Sequence, residues 1–304
     1  MKQTCIVLLS DKSSGSTILQ KIITSHPQIK NIRSDLNNYE SKYWEYATAI
    51  LGLEQPKMKY SHEFPISRKK ALQRIDKLLK QDAGLNIDIR NFSDAKEYIF
   101  NGWEALCEKY SPVFFEKSPH HLHYKEALNL MYEYIQKYPN TDFKFIGLVR
   151  NPIDTLYSMW KRWYAIPEQR QYEWLRAYNN LLDFKFKLNE YLKIVKYEDL
   201  VKNPEELRDL FNFIGVNYSP ELETNLHNRS LNKWKNDKNF AFHLSQEVFE
   251  LAKKFYSTEK LQNENKNIVY WQILSKLNKP SFRLLVTKGS LKRFMKKLKY
   301  YLKS

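Results

Sequence analysis

The strongest constraint on the fold lies near the start of the chain, where a short apolar run leads through a small-residue loop into an amphipathic stretch. Cys5 to Leu9 is too short and too uniformly apolar for a surface strand, and is typical of a central strand buried on both faces. Apolar residues then recur at helical spacing, which predicts a helix beginning near Gly15: Ile18, Leu19, Ile22 and Ile23. The pattern favours a parallel sheet covered by helices.

The loop between these two elements has the chemistry of a phosphate site. It reads Ser-Asp-Lys-Ser-Ser-Gly-Ser-Thr over residues 10–17. The first N–H groups of the following helix lack intrahelical acceptors and carry the positive end of its dipole, which attracts an anion. Gly15 permits close approach of the backbone, and Ser14, Ser16 and Thr17 offer hydroxyl donors. The alternative is a tight strand-to-helix turn with a serine cap.

A second anion site is predicted after the strand at residues 143–149. Asn151 is a good helix N-cap and Pro152 a good first helical residue, so Arg150 stands at the carboxyl end of the strand, where ligands of open α/β sheets bind. Ser158 follows between one and two turns into the helix. A guanidinium and a hydroxyl suit a terminal phosphate. The alternative is that Arg150 pairs with a carboxylate and that Ser158 only packs.

Together these segments resemble the two phosphate sites of the sulfotransferases that use 3′-phosphoadenosine 5′-phosphosulfate (PAPS). The resemblance implies that residues 12–17, with Lys12 and Ser13 included, bind the 5′-phosphosulfate, and that Arg150 and Ser158 bind the 3′-phosphate. Three further stretches are similar to family segments: Ser25-His26-Pro27, Phe114–Pro119 and Val195–Leu200. The stretch at residues 231–235 resembles the Lys-Trp segment of the family, so Lys233 is expected to contact a phosphate or the adenine.

The resemblance covers about residues 3–260. It implies a three-layer α/β architecture with a central parallel sheet flanked by helices, the P-loop NTPase-like sulfotransferase fold. Strands are expected near residues 4–9, 112–116, 143–149 and 192–197. Helices are expected near residues 16–25, 39–51, 67–80, 93–109, 120–137, 152–164, 168–190, 203–214 and 245–256.

Sulfuryl transfer is an in-line displacement that needs positioning, a base and a cation. For the base, the resemblance points to a carboxylate shortly after His26-Pro27, either Glu40 or Asp35. The alternative is that both are solvated surface carboxylates with no catalytic role. His120 is a further candidate for contact with the acceptor. Although His120 belongs to a His-His-x-His sequence, no third ligand or carboxylate is evident beside it, so no metal ion is expected.

Two lysines are candidates for the cation that neutralises the leaving phosphate, because Ser13 stands where the family usually has Lys or Arg. Either Lys12 reaches the bridging oxygen or Lys117 neutralises the leaving phosphate. The alternative role for Lys117 is a salt bridge with Glu116 or Glu126.

Charge distribution argues against nucleic acid as a partner, despite a net charge of +16 for 304 residues. No acidic residue follows Glu264, and eleven lysines and arginines do, so most of the excess charge lies at the carboxyl end. We therefore expect a sulfotransferase domain over residues 1–265, with a helical insertion at about 30–110 that shapes the acceptor pocket. Residues 266–304 are expected to form a basic amphipathic tail that docks on the domain or contacts an anionic membrane surface.

A cytoplasmic enzyme is expected. No window approaches 18 uncharged apolar residues, the first apolar run is too short for a signal peptide, and the two cysteines, Cys5 and Cys107, fall at predicted buried positions. PAPS is the expected donor. The expected acceptor is a hydroxyl of a carbohydrate, a glycolipid or another small molecule, on the similarity of Glu116–Pro119 to carbohydrate enzymes.

Two other functions remain open from the sequence. A P-loop kinase requires Gly-x-x-x-x-Gly-Lys-Ser/Thr, whereas this loop has one glycine and no lysine before Ser16. A non-catalytic protein that binds a nucleotide or a glycan on a degenerate sulfotransferase scaffold is the second alternative, because Ser13 replaces the usual cation.

Overall fold

The protein is built around a central sheet of five parallel strands. The computed structural model describes residues 3–32, 40–61, 63–221, 230–265, 267–268 and 271. The strands are β1 (Thr4–Ser10), β2 (Ile29–Asn31), β3 (Val113–Lys117), β4 (Asp142–Val149) and β5 (Leu192–Lys196), in the spatial order β2-β3-β1-β4-β5. The helices are α1 (Ser16–Thr24), α2 (Tyr43–Ile50), α3 (Arg68–Lys77), α4 (Ala95–Lys109), α5 (Lys125–Lys137), α6 (Pro152–Trp163), α7 (Pro167–Leu188), α8 (Tyr197–Leu200), α9 (Pro204–Ile214) and α10 (Gln246–Ala252).

Strand β1 occupies the middle of the sheet and pairs with β3 on one side and β4 on the other. Leu8 is level with Lys117 of β3 and with Ile146 of β4. Since parallel strands run in the same direction, the loops after β1, β3 and β4 lie at one edge of the sheet. That edge therefore collects the predicted anion-binding residues.

The sheet is buried on both faces, because alternate residues of each strand point to opposite sides. Cys5, Val7 and Leu9 of β1 pack into a large core with α2, α4, α5 and α7, whereas Ile6 and Leu8 pack into a second core with α1 and α9. This is the three-layer architecture predicted from the sequence, and the continuous apolar character of β1 follows from it.

All four predicted strands are confirmed, and β2 is an additional one. The predicted helix at 120–137 is divided, because Tyr124 adopts an extended conformation between a short 3₁₀ turn (His121–His123) and α5. The predicted helix at 67–80 ends as a π-helical turn (Leu78–Asp82). The predicted helices at 39–51 and 245–256 are shorter, covering Tyr43–Ile50 and Gln246–Ala252.

Within the predicted insertion at about 30–110, α2 and α4 pack on the larger core. The predicted tail, 266–304, lies outside the described residues except for 267, 268 and 271. Trp271 is buried against α6 and donates a hydrogen bond to Glu168 of α7 (2.6 Å). Among the described helices, none is both long enough and apolar enough to cross a bilayer.

A close contact between β4 and α7 provides a test of this packing. A Cβ added at Gly147 would lie 2.8 Å from Leu181 Cδ1. We expect Gly147→Ala to lower the free energy of unfolding by about 1–3 kcal/mol through overpacking. Leu181→Ala should lower it by about 2–5 kcal/mol through the cavity it leaves. Because the second change makes room for the first, denaturant titration should give a double variant less destabilised than the sum; additive effects would contradict this packing.

Candidate functional site

Polar residues from three neighbouring strands meet at the carboxyl edge of the sheet. Ser10 ends β1 and Asp11 follows it, Lys117 ends β3 and Ser118 follows it, and Arg150 directly follows β4. All five are at most 6% exposed. Buried polar groups are costly unless they have partners, so their concentration at this edge marks a site rather than a packing core.

The loop after β1 is held in an unusual backbone conformation. Ser13 and Gly15 both have positive φ, 62° and 95° respectively. At Gly15 a side chain is excluded twice, by this φ and by Tyr197, whose ring would lie 2.3 Å from a Cβ. No described side chain caps the following helix, α1, so its first N–H groups keep the capacity to bind an anion.

Asp11 fixes the start of this loop. Its Oδ1 atom accepts hydrogen bonds from the Lys12 backbone N–H (2.7 Å), from His123 Nε2 (3.0 Å) and from Arg170. Its carbonyl accepts one from the Ser14 hydroxyl (2.6 Å). Burial opposes ionisation of Asp11, but Arg170 and His123 outweigh it and hold the pKa of this carboxyl well below its usual range.

Arg150 is joined directly to the loop. Its guanidinium donates hydrogen bonds to the carbonyl oxygens of Ser13 (2.9 Å) and Ser230 (2.7 Å), and it lies over the ring of Tyr197, 5.0 Å from its centroid. The Asp154 carboxylate is 4.0 Å away, at the limit of an ion pair. Arg150 Nε is buried and has no hydrogen-bond partner in the described part of the chain, so a donor is left over at this point.

Ser158 and Lys233 lie near Arg150 on adjacent segments. Ser158 is half-buried on α6, one turn after Asp154, whose carboxylate accepts a hydrogen bond from the Asn232 backbone N–H (2.9 Å). Lys233 follows directly and is exposed. The fold thus brings together the loop at 12–17, Arg150 and the segment at 230–236, as the sequence predicted; whether Ser158 and Lys233 contact a ligand stays a prediction.

The candidate base and cations also lie close together. Lys117, with 1% of its side chain exposed, has its Nζ atom 3.5 Å from Glu40 Oε1. Lys12 Nζ donates a hydrogen bond to the Tyr60 carbonyl (3.1 Å). Burial lowers the pKa of Lys12 from 10.5 to about 8, with Arg170 acting in the same direction and the Glu40 carboxylate opposing it. Asp35, the alternative base, lies outside the described residues.

His120 is buried beside these groups, with its ring 5.3 Å from that of Phe64. Neither ring nitrogen has a hydrogen-bond partner among the described residues. Burial and the nearby charges of Lys12 and Lys42 lower the pKa of His120 well below its usual value, so the ring is neutral. Across the described residues no group of three or more His, Cys, Asp or Glu side chains could hold a metal ion.

The buried partners that hold these residues in place were not predicted from the sequence. Arg170 and Glu45 are examples; each is a charged residue on an otherwise apolar helix face. In α7 the buried positions Pro167, Trp174, Ala177 and Leu181 share a face with Arg170, and in α2 every residue is buried. A charge on such a face is the signal that could have found them, since burial requires a partner.

Comparison with known proteins identifies the class. Residues 6–220 match the sulfotransferase family, so this chain belongs to it. The structure is similar to the sulfotransferase domain of the Synechococcus PCC 7002 olefin synthase, with 20% identity, a TM-score of 0.57, and 84% of this chain and 97% of that one covered. It is also similar to the sulfotransferase domain of the curacin biosynthetic pathway, with 20% identity, a TM-score of 0.53, and 83% and 97% covered. No curated protein matches in sequence.

The depressed pKa of Lys12 has a measurable consequence for stability. A lysine whose pKa is lower in the folded than in the unfolded protein destabilises the fold below pH 8, where it is charged in both states. This penalty is relieved as pH rises from 8 to 10.5. We expect Lys12→Met to be more stable than the wild type by about 1–2 kcal/mol at pH 7, with the difference shrinking by pH 10.

Urea titration of both proteins at the two pH values measures this difference. Lys233→Met is the matched control for removal of a lysine; because Lys233 is exposed, it should change the stability at pH 7 by less than about 0.5 kcal/mol. A difference between wild type and Lys12→Met that is constant from pH 7 to 10 would contradict a depressed pKa.

Proposed function

We propose that this protein transfers a sulfuryl group from PAPS to an acceptor hydroxyl. The observation that carries the proposal is the direct bond between Arg150 and the loop at residues 12–17. It supports the proposal because residues of the two predicted phosphate sites, on adjacent strand ends, are in direct contact. Membership of the sulfotransferase family supports the reaction class, and the nucleotide identity rests on the residues of these two sites.

The residues at both sites fit a nucleotide with two phosphate groups. The uncapped start of α1 and the hydroxyls of Ser16 and Thr17 would hold the 5′-phosphosulfate. Arg150, through the donors that its two carbonyl partners leave free, would hold the 3′-phosphate together with Ser158. Tyr197, which is buried against Gly15 and under Arg150, packs between the two sites and holds them together.

Glu40 and the neighbouring lysines supply the groups that the transfer needs. Glu40 accepts the proton of the acceptor hydroxyl while the oxygen of that hydroxyl forms a bond to sulfur. The bond between sulfur and the 5′-phosphate oxygen breaks, and Lys117 or Lys12 neutralises the charge on that oxygen. The 3.5 Å separation of Glu40 and Lys117 supports a common location for both roles.

For the acceptor, we propose a hydroxyl of a carbohydrate or glycolipid. The support is the similarity of Glu116–Pro119 to the corresponding segment of carbohydrate sulfotransferases.

For the location, we propose a reducing compartment such as the cytoplasm. The buried cysteines Cys5 and Cys107, which form no disulfide, support it.

The nucleotide site is tested by binding. We expect 3′-phosphoadenosine 5′-phosphate (PAP) at 100 times its Kd to stabilise the protein by about 2.7 kcal/mol, and ATP with Mg²⁺ to stabilise it much less. Arg150→Gln and Ser158→Ala should weaken PAP binding in calorimetry, by about 10- to 100-fold for the arginine, because charge-assisted hydrogen bonds are lost.

Arg208→Gln is the matched control for charge, because Arg208 is exposed on α9, where it pairs with Glu205 and lies over the ring of Tyr218. It should leave PAP affinity unchanged. Stronger stabilisation by ATP with Mg²⁺ than by PAP would favour a kinase, and unchanged affinity in Arg150→Gln would remove the proposed 3′-phosphate site.

The base is tested by turnover. With labelled PAPS and a panel of sugar and glycolipid hydroxyl acceptors, Glu40→Gln should lower kcat by about 10²- to 10⁴-fold without changing PAP affinity. Asp142→Asn is the matched control, because Asp142 also lies 3.5 Å from a lysine, Lys144, but at the opposite edge of the sheet. A fully active Glu40→Gln would transfer the role to Asp35 or His120.

The cation is tested in the same assay. Lys12→Ala and Lys117→Ala distinguish the two candidates, since the one that neutralises the leaving oxygen should lose turnover and keep PAP affinity. Binding of PAP with no transfer to any acceptor, by the wild type, would support a non-catalytic protein on this scaffold.

A further inference from the structure

A buried charged cluster lies behind the candidate base and cation. It consists of Glu45 on α2, Glu116 on β3 and His121 in the turn after β3, none more than 3% exposed. His121 Nε2 is 2.8 Å from Glu116 Oε2, and His121 Nδ1 is 2.9 Å from Glu45 Oε2. The Nε2 contact with Glu116 is a hydrogen bond, whereas Glu45 faces Nδ1 at ion-pair distance without hydrogen-bond geometry. Both carboxylates favour the charged form of the imidazole.

Stability alone is a poor reason for such a cluster. Desolvating three charged groups is costly, and well-packed apolar side chains of similar volume are often as stable or more so. The three side chains are too deeply buried to touch a substrate. Their presence at the carboxyl edge of the sheet therefore calls for a role that acts through neighbouring residues.

The hydrogen bonds of Glu116 connect the cluster to the residues next to Glu40 and next to Lys117. Glu116 Oε1 accepts hydrogen bonds from the hydroxyls of Ser41 (2.6 Å) and Ser118 (2.7 Å). The Ser118 oxygen in turn accepts one from the Lys42 backbone N–H (2.9 Å). Ser41 and Lys42 directly follow Glu40, and Ser118 directly follows Lys117. One carboxylate thus fixes the backbone beside each of the two reactive side chains.

We propose that Glu45, His121 and Glu116 are positioning residues, which set the placement of Glu40 relative to Lys117 for sulfuryl transfer. This inference rests on the proposed function. It assigns to α2 the task of bracing the turn after β3 through His121, so that two segments distant in sequence keep a fixed separation. A misplacement of about 1 Å at a reacting group can cost about 100-fold in rate, so small shifts at Ser41 or Ser118 are sufficient.

The charge state of His121 follows from the groups that face it. These are Glu45 from α2, Glu116 from β3 and, on its own turn, the neutral His120. Although burial opposes the charged form, the two carboxylates raise the pKa of His121 to about 10. The stabilisation is complete below about pH 6.5, the usual histidine value, and is lost as pH rises through 10. His121 itself is thus charged at neutral pH.

Two variants test the positioning role. Glu45→Gln removes one charge, and Ser118→Ala removes the link to Lys42 with no change of charge. Both should lower kcat by about 10- to 100-fold while PAP affinity in calorimetry stays at the wild-type value. Ser118→Thr, which keeps the hydroxyl, should restore most of the lost turnover.

Glu104→Gln is the matched control for loss of a structural carboxylate. Glu104 accepts hydrogen bonds from Gln3 (3.1 Å) and Tyr134 at the opposite edge of the sheet. It should lower stability without lowering kcat. If Glu45→Gln and Ser118→Ala lose no more kcat than Glu104→Gln at equal loss of stability, the positioning role is overturned.

Nuclear magnetic resonance tests the cluster without any acceptor. Long-range ¹H–¹⁵N correlation spectra of the wild type should show both His121 nitrogens protonated up to pH 9, and a neutral ring at pH 8 would overturn the inference. The two proposals fail differently. Absence of transfer by the wild type overturns the proposed function and this inference with it, whereas an active wild type with fully active variants overturns the inference alone.

Discussion

The geometry of the site depends on the hydrogen bonds and the ion pair that the Asp11 carboxylate forms. One oxygen accepts hydrogen bonds from the backbone after β1, from His123 beyond β3 and from Arg170 on α7. Three elements that are distant in sequence are therefore tied at the point where the loop at residues 12–17 begins. Removing one partner of such a buried ion pair typically costs about 3–5 kcal/mol, because the other charge is left uncompensated. The positive φ of Ser13, a strained conformation for a residue with a side chain, is sustained by this anchoring and by the bond from Arg150 to the Ser13 carbonyl.

Local sequence was sufficient for most of the fold, since each correct element has a strong local pattern. The strand β1 is uniformly apolar, α6 begins with Asn151 and Pro152, and α9 begins with Asn203 and Pro204 and ends before Gly215. The strand β2 was missed because it has only three residues at the edge of the sheet, and nothing in Ile-Lys-Asn distinguishes it from a loop. The division of the helix predicted at 120–137 was missed for a different reason. His121 is paired with Glu116 and His123 is hydrogen-bonded to Asp11, so tertiary contacts decide the local conformation there.

Prediction of the site followed the same division. That the loop at 12–17 and Arg150 lie together could be predicted because the carboxyl ends of parallel strands lie at one edge, so position in the chain gives position in space. The partners of these residues could not be placed, since Arg170 lies 159 residues beyond Asp11 and Ser230 lies 80 beyond Arg150. No local rule pairs such residues. The nearest signal is a charge on an apolar helix face, which indicates that a partner exists and does not say which.

The absence of a cation at residue 13 changes how the site can balance charge. A lysine or arginine there would reach the anion directly from the loop. In this chain the candidate cations lie on separate segments, Lys12 after β1 and Lys117 at the end of β3. Each is next to a group that limits its freedom: the Tyr60 carbonyl for Lys12 and Glu40 for Lys117. Burial already disfavours the charge on Lys12, so an anion bound at the start of α1 would find a cation that gains from its presence. A lysine fully paired with a carboxylate would gain much less. Sharing the charge between two strand ends also makes the site depend on the separation of β1 and β3, which is why the buried contacts that fix the turn after β3 matter for the chemistry as well as for the fold.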